Sequence, residues 1–177
     1  MHTTFTLPRL VMGLTLLAAA SAHADDIKRN VAPGGTIPIA RAVSVPANTR
    51  LVFLSGNLAD VSNPDAPKGS YEAYGDTQTQ TLSVLKKIEA LLASEGLGMG
   101  DVVKVNVFLA GDPKLDGKMD FAGLNASFSQ FFGTAAQPNK PVRTALQVAA
   151  LPMPGGLVEI EMTAAKVVTA PAPKKKK

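Results

Sequence analysis

The side chains that could take part in a reaction are of few kinds. The chain has no cysteine and no tryptophan, and its two histidines are His2 and His23. Both histidines lie in a stretch typical of an export signal, so the exported product would contain neither histidine nor cysteine. Serine triads, thiol nucleophiles and histidine-rich zinc sites are therefore excluded for that product. Carboxylates, lysines, arginines, hydroxyls, amides and the backbone remain to do any chemistry.

Two strand-like segments near the C-terminus carry charged residues at alternating positions. Arg143 shares a face with Ala145, a small residue that leaves room for a ligand, and Glu159 shares a face with Glu161. The guanidinium could clamp a substrate carboxylate while a glutamate positions water or a proton. If the two strands are antiparallel neighbours, the alternative is a cross-strand ion pair at the rim of the sheet. Spacing alone does not decide between these interpretations.

Hydrophobic periodicity predicts the elements that position these residues, in the order β-β-α-β-α-β-β. The predicted strands are 40–45, 51–58, 102–109, 141–151 and 157–168; one helix follows the capping residue Asp76 and ends near Gly96, and another covers 121–132. The first two strands are predicted to form a hairpin across the turn 46–48.

A stripe of apolar residues on the second helix is predicted to belong to the core. Its members recur at helical intervals and are Phe121, Leu124, Phe128 and Phe131. Two helices among these strands predict an α+β domain with both helices on one face of a mixed sheet. The opposite face would then be uncovered, which predicts self-association.

The N-terminal residues 1–24 are typical of a cleavable export signal. Arg9 precedes the apolar run 10–20, and Ala22-His23-Ala24 is a small-x-small cleavage site. The alternative, a membrane anchor, is disfavoured because the run is shorter than the ~20 residues that span a bilayer. We expect cleavage after Ala24 and a periplasmic or secreted product without a membrane span.

The mature chain is predicted to be one domain, 25–168, followed by a disordered Pro/Lys tail, 169–177. Of the formal net charge of +4, Arg9 and the four lysines 174–177 supply five positive charges, so the domain itself carries −1. A nearly neutral body with few aromatic residues argues against binding nucleic acid. The lysine tail could instead contact anionic lipid or cell-wall polymer.

Six segments resemble, in order and spacing, the Rid family of reactive-intermediate (enamine/imine) deaminases, also called the YjgF family. They are PIARAV at 38–43, LSGN at 54–57, GDVVKVNVFL at 100–109, LNASFSQFF at 124–132, PVR at 141–143 and VEIE at 158–161. The resemblance covers about 36–166, nearly the whole mature domain.

The resemblance implies a chorismate-mutase-like α+β fold assembled as a homotrimer, with the sheets lining a barrel and the sites between subunits. It implies hydrolysis of 2-aminoacrylate-type enamines or imines to 2-keto acids and ammonia, without a metal or organic cofactor. Arg143 would hold the substrate carboxylate and Glu159 would position water. Backbone groups around Gly56 and Ala145 would complete the pocket, with Asn125 close by.

The chain departs from the family pattern near the implied site. Ile39 replaces a tyrosine that commonly borders the site, and Ala145 replaces a frequent cysteine, while Thr144 stands where serine is common. The choice of Glu159 over Glu161 rests on the resemblance. Substrate preference is therefore expected to differ. A small-carboxylate-binding protein without turnover, a chaperone-like trimer and a ribonuclease remain as alternatives.

Overall fold

The structure of the protein, a computed structural model, describes residues 26–168. Its strands are β1 Lys28–Asn30, β2 Ala42–Ser44, β3 Thr49–Leu58, β4 Val102–Leu109, β5 Val142–Gln147 and β6 Val158–Val167; its helices are α1 Tyr71–Tyr74, α2 Thr77–Ser94 and α3 Phe121–Phe128. Across 26–168 no helix is long and apolar enough to cross a membrane. The signal at 1–24 and the tail at 169–177 lie outside the described residues and stay predictions.

A four-stranded mixed sheet in the order β3-β6-β4-β5 forms the centre of the domain. Strand β6 runs antiparallel to both β3 and β4, whereas β5 runs parallel to β4. The chain returns through α3 after β4, and such a crossover brings the next strand in parallel to the one before it. Strand β4 therefore separates β5 from β6, and the antiparallel contact considered between the strands of Arg143 and Glu159 is wrong.

The predicted hairpin between the first two strands is also wrong. Strand β2 pairs with β1, a strand that the sequence analysis did not find, and β3 pairs with β6 from Thr49–Val167 to Leu58–Glu159. The long partner β6 lets β3 bury Val52 and Leu54 against the core. A short turn between two strands does not produce a hairpin when a strand from elsewhere in the chain pairs with one of them, as β6 does with β3 here.

Strand β1 is held in place by the side chain of Arg29. Its guanidinium donates to the carbonyls of Val102 and Lys140, both at 2.9 Å, and of Gly100, at 3.0 Å. Burial lowers the pKa of Arg29, and the nearby Asp101 partly opposes that effect. The side-chain hydrogen bonds of Arg29 therefore anchor β1, a strand without the apolar residues that usually indicate one.

The core lies between the sheet and one layer made of α2 and α3, as predicted. Asp76 caps α2 by accepting a hydrogen bond from the Thr79 amide at 2.8 Å. The fully buried apolar side chains include Val84, Leu85, Ile88 and Leu92 of α2, Val105, Val107 and Leu109 of β4, and Leu124 and Phe128 of α3. The domain thus has the predicted α+β architecture with both helices on one face.

The other face of the sheet, which we call the open face, has no helix over it within 26–168. Phe53 is 73 % exposed there, and a depression of about 360 Å³ is lined by Phe53, Lys104, Asn106 and Glu161, among others. Mixed apolar and charged residues on an uncovered face leave it free to contact a second copy, so self-association stays a prediction.

Candidate functional site

Arg143 lies on β5 and points to the helix side of the sheet. It is opposite Val105 of β4, whose side chain is fully buried under the helices. The Nη2 group of Arg143 donates a hydrogen bond to Oδ1 of Asn125 on α3 at 2.8 Å. The structure therefore brings together two of the residues predicted for the site.

The Arg143 guanidinium has aromatic neighbours and, among the described residues, no carboxylate partner. Its central carbon lies 4.4 Å from the ring centroid of Phe128 and 5.5 Å from that of Phe121. Its Nη1 is buried without a hydrogen-bond partner, and burial lowers the pKa of Arg143. An arginine keeps its charge under such conditions. This guanidinium can therefore bind a carboxylate by donating hydrogen bonds to its two oxygens.

Helix α3 is held against α2 by polar contacts that also set the position of Asn125. Asp120 caps α3 by accepting from the Gly123 amide at 2.8 Å, and the Ser127 hydroxyl donates to the carbonyl of Gln78 at 2.7 Å. A Cβ on Gly123 would overlap the capping carboxylate of Asp120 and lie 3.1 Å from the Gln78 nitrogen, so glycine leaves room for the cap and for the approach of α2. Asn125 therefore faces β5 from a rigid element.

The two substituted positions lie on the same side as Arg143. Ala145 follows two residues later on β5, is partly buried and packs against the core. Ile39 is also partly buried, and the next amide, of Ala40, donates to the Pro141 carbonyl at 2.8 Å. This hydrogen bond brings Ile39 to the start of β5, where it borders an apolar cavity of about 200 Å³.

Gly56 and Glu159 form a separate pair on the open face. The pairing of β3 with β6 shifts between Leu54 and Asn57, and the side chain of Asn57 donates to the Ser55 carbonyl at 2.8 Å within this bulge. The carboxylate of Glu159 lies directly over Gly56, in the space that a Cβ would occupy. Only glycine at this bulge leaves the carboxylate its place.

The structure distinguishes Glu159 from Glu161, which the sequence could not do. Glu161 accepts a hydrogen bond from Nδ2 of Asn106 at 3.3 Å. Glu159 has no side-chain hydrogen bond within 26–168. Both carboxylates border a depression of about 260 Å³ that Phe108 and Leu151 also line. The hydrogen bond to Asn106 is therefore what distinguishes them, and it leaves Glu159 the better candidate to bind a water or a substrate group.

The two groups of predicted site residues do not meet within one chain. Arg143, Asn125, Ala145 and Ile39 belong to the helix side near the β5 edge, whereas Glu159 and its glycine lie on the open face. The cross-strand ion pair considered as an alternative is wrong, because strand β4 and the thickness of the sheet separate the charges. The arginine group alone can bind a carboxylate. A reaction that needs both groups requires a second copy.

Sequence reasoning placed Asn125 near the guanidinium but missed its aromatic neighbours. Phe121 was assigned to the core, but the residue is 44 % exposed and its ring lies against Arg143. The spacing of Phe121, Asn125 and Phe128 by four and three positions places them along one helical stripe facing β5. This spacing next to a predicted arginine strand is the signal that could have identified them. Among the described residues no cluster of carboxylates could hold a metal ion.

Comparisons with known proteins agree with this fold. The profile of the family described as Endoribonuclease L-PSP matches residues 32–166. The RutC family protein PH0854 of Pyrococcus horikoshii is 35 % identical over 115 residues, 65 % of this chain and 79 % of the relative. An Escherichia coli K12 protein named "Putative reactive intermediate deaminase TdcF" is 32 % identical over 126 residues, 71 % of this chain and 85 % of its own.

A solved structure supports the fold. The Yersinia pestis protein YyfB, a protein of unknown function of the conserved Rid protein family, superposes with a TM-score of 0.57 at 23 % identity, covering 78 % of this chain and 96 % of that one. At this identity the likeness concerns the fold alone. With the profile covering most of the chain and curated relatives above 30 % identity, the chain belongs to the Endoribonuclease L-PSP family, the family of YjgF, RutC and Rid proteins.

Proposed function

We propose that the protein is a cofactor-independent deaminase that hydrolyses 2-imino acids, and the enamines that isomerise to them, to 2-keto acids and ammonia. The observation that carries the proposal is the Arg143 guanidinium, which is partly buried between aromatic rings and, within 26–168, hydrogen-bonds to Asn125 and to no carboxylate. A buried charge of this kind lacks one hydrogen-bonding partner that a substrate carboxylate can supply.

The chemistry needs only a bound carboxylate and a positioned water. The water oxygen adds to the imino carbon, the C=N bond becomes a C–N bond, and one proton of the water passes to a carboxylate acting as base. The carboxylic acid formed in this step passes its proton to the nitrogen. The C–N bond then breaks and ammonia leaves, while the hydroxyl gives its proton back to the carboxylate and becomes the keto oxygen. Glu159, with its free carboxylate beside Gly56, suits the role of base and proton carrier.

We propose that the complete site forms between two copies within a homotrimer. The arginine group lies on the helix side near the β5 edge, and Glu159 lies on the open face with its apolar, uncovered neighbours. A neighbouring copy that covers the open face could bring its own Arg143 to this copy's Glu159. In a closed ring each pair of neighbours would repeat the same contact, which gives three equivalent sites.

Binding of 2-keto or imino acids without turnover is the second candidate. It is favoured by Ile39, which lies at the start of β5 and offers an alkyl group where relatives implied by the resemblance carry a phenol. A site without that hydroxyl retains the carboxylate clamp but has one polar group fewer for the reacting nitrogen and water.

The deciding experiment measures release of ammonia and 2-keto acid from freshly generated 2-iminopropionate and from bulkier imino acids. Turnover by the wild type should fall at least about a hundredfold in Arg143→Ala and Glu159→Gln. Glu161→Gln is the matched control, since Glu161 shares the open face but already bonds to Asn106, and its turnover should match the wild type. Absence of turnover with every imine, in a protein that still binds pyruvate, would favour binding alone.

Mixed assembly tests whether the site spans two copies. Inactive Arg143→Ala and Glu159→Gln chains, co-expressed in equal amounts, should regain activity because a neighbour can supply the missing group. Random mixing of a symmetric ring gives an intact pair at about a quarter of the sites. Mixed assemblies as inactive as either parent would show that both residues must come from the same chain.

We also propose that the protein is exported, with cleavage after Ala24, on the basis of the charged and apolar pattern of 1–24. Cell fractionation and N-terminal sequencing of the protein from its native host test this. A mature chain beginning at Asp25 in the periplasm or medium is the expected result, and an uncleaved cytoplasmic chain would contradict it.

A further inference from the structure

The edge of the Arg143 guanidinium that carries both Nη groups is blocked within 26–168. Its Nη2 donates to Asn125, and its Nη1 is buried without a partner among the described residues. A carboxylate that forms paired hydrogen bonds needs two N–H groups on one edge of the guanidinium. A ligand that binds at the Nη edge therefore requires a neighbouring group to move.

The two aromatic neighbours differ in their freedom to move. Phe128 is fully buried, and its ring centroid lies 4.6 Å from that of Phe132, so it is fixed in the core. Phe121 is the first residue of α3 and is 44 % exposed. Its ring can rotate towards solvent without opening the core, whereas rotation of Phe128 would leave a cavity.

We propose that Phe121 is a gate over Arg143 that sets which carboxylates enter the site. In the ligand-free protein its ring covers the guanidinium in a cation–π contact. When a substrate carboxylate binds, the ring turns outward and lies against the substituent of the bound acid. This proposal rests on the proposed function, because it assumes that Arg143 binds the substrate carboxylate.

The gate has a measurable consequence for affinity. Opening it gives up the contact between the ring and the guanidinium, so removal of the ring should make simple carboxylates bind more tightly. The energy of an exposed cation–π contact corresponds to a gain of about twofold to fivefold in affinity. The gain should be largest for pyruvate, whose methyl group is too small to replace the lost contact, and smallest for keto acids with large apolar side chains.

The test is calorimetric titration of the assembled protein with pyruvate and 4-methyl-2-oxopentanoate, comparing wild type, Phe121→Ala and Phe121→Leu. Both variants should bind pyruvate about twofold to fivefold more tightly than the wild type, and the ratio of the two affinities should shift towards pyruvate. Leu115→Ala is the control, since Leu115 is an exposed apolar residue in the loop before α3, and its affinities should equal those of the wild type.

A label on the ring checks the movement directly. 4-Fluorophenylalanine at position 121 should show a fluorine chemical-shift change that saturates with pyruvate and is lost in the Arg143→Ala background. If the wild type turns over imines but Phe121→Ala binds pyruvate no more tightly than the wild type, the gate alone would be overturned. No pyruvate binding by any form would overturn both the gate and the carboxylate clamp. Pyruvate binding without turnover would overturn the deaminase and, with the affinity gain, support the gate.

Discussion

Glu159 and Gly56 act as one unit, in which the absence of a side chain at one residue creates the place for the other. The β-bulge before Asn57 turns the backbone of β3 so that the Glu159 carboxylate lies over Gly56. A free carboxylate on an open face is costly only if it is buried without a partner. A second copy that covers this face would therefore have to supply a polar group or a ligand to it.

Gly56→Ala should abolish imine hydrolysis while leaving the fold intact. The new methyl group would occupy the position of the Glu159 carboxylate, and the flexible end of that side chain can move aside at little cost. Turnover should fall at least about tenfold with the urea midpoint nearly unchanged. The control is Gly98→Ala, because a methyl group at Gly98 meets no atom within 4 Å. Equal turnover by the two variants would contradict this role for Gly56.

At the scale of elements, buried polar side chains join loops that hydrophobic contacts do not reach. Gln80 of α2 is fully buried; it donates to the carbonyls of Gly75 and Gly155, both at 3.0 Å, and accepts from the Leu157 amide at 2.8 Å. These three hydrogen bonds join the start of α2 to the turn before β6. The same turn leads into the strand that carries Glu159, so Gln80 also helps to set the position of the open-face carboxylate.

Gln80→Leu should destabilise the domain by about 3 kcal/mol, because it leaves two carbonyls and one amide buried without partners. Urea denaturation followed by far-UV circular dichroism measures the change. Gln78→Leu is the control on the same helix, since Gln78 is exposed, and it should change the free energy of unfolding by less than about 0.5 kcal/mol. A similar effect of both substitutions would show that the buried hydrogen bonds contribute little.

The cap of α2 should give the stability of the domain a pH dependence. Hydrogen bonds from the Thr79 amide and then from its side chain lower the pKa of Asp76. The ionised cap therefore stabilises the fold fully above the pKa that aspartate has in the unfolded chain. This stabilisation is lost as the pH falls through the lower pKa of the folded state.

Asp76→Ala should cost about 1 kcal/mol of unfolding free energy at pH 7, and the difference from the wild type should shrink below about pH 4. Asp76→Asn is the control, because an amide oxygen can cap the helix without titrating, so its difference from Asp76→Ala should vary less with pH. Urea midpoints between pH 3 and pH 7 measure both effects. A difference between wild type and Asp76→Ala that stays constant over this range would contradict the charged cap.

At the scale of the whole molecule, the open face is the feature that a single chain leaves unexplained. Leu51 and Phe53 are exposed beside Lys104 and Glu161, and the only helical layer described in 26–168 covers the opposite face. Contiguous apolar surface of this kind usually marks an interface. The separation of Arg143 from Glu159 gives a second, independent reason to expect assembly.

Phe53→Lys should convert the proposed trimer into monomers and abolish turnover. The substitution removes an exposed ring from the proposed interface and brings like charges close together, while the fold itself loses little because Phe53 is not in the core. Light scattering coupled to size-exclusion chromatography measures the mass. Leu91→Lys is the control, since Leu91 is exposed on α2 rather than on the open face, and it should leave the mass unchanged. A monomeric wild type, or a trimeric Phe53→Lys, would contradict the proposed assembly.

Features that depend on local periodicity and residue chemistry could be predicted without the structure. The bounds of β4, the cap of α2, the α+β class and the family all follow from patterns within short windows. Arg143 was singled out in the same way, because a charged residue at a strand position next to a small residue is visible without any tertiary information. The strand pattern offered Glu159 and Glu161 equally, and the choice of Glu159 came from the resemblance to the family.

The strand pairing, and with it the side of the sheet that each charged side chain faces, could not be predicted without the tertiary structure. Strand β1 pairs with β2, β3 prefers β6 to a hairpin, and β5 joins β4 in parallel, so Arg143 and Glu159 come to lie on opposite faces. The assignment of Phe121 to the core was likewise wrong, because its ring lies against the Arg143 guanidinium. Which strands pair depends on which distant segments form the more favourable contacts along the same edge. The pattern of side chains within one segment does not contain that information.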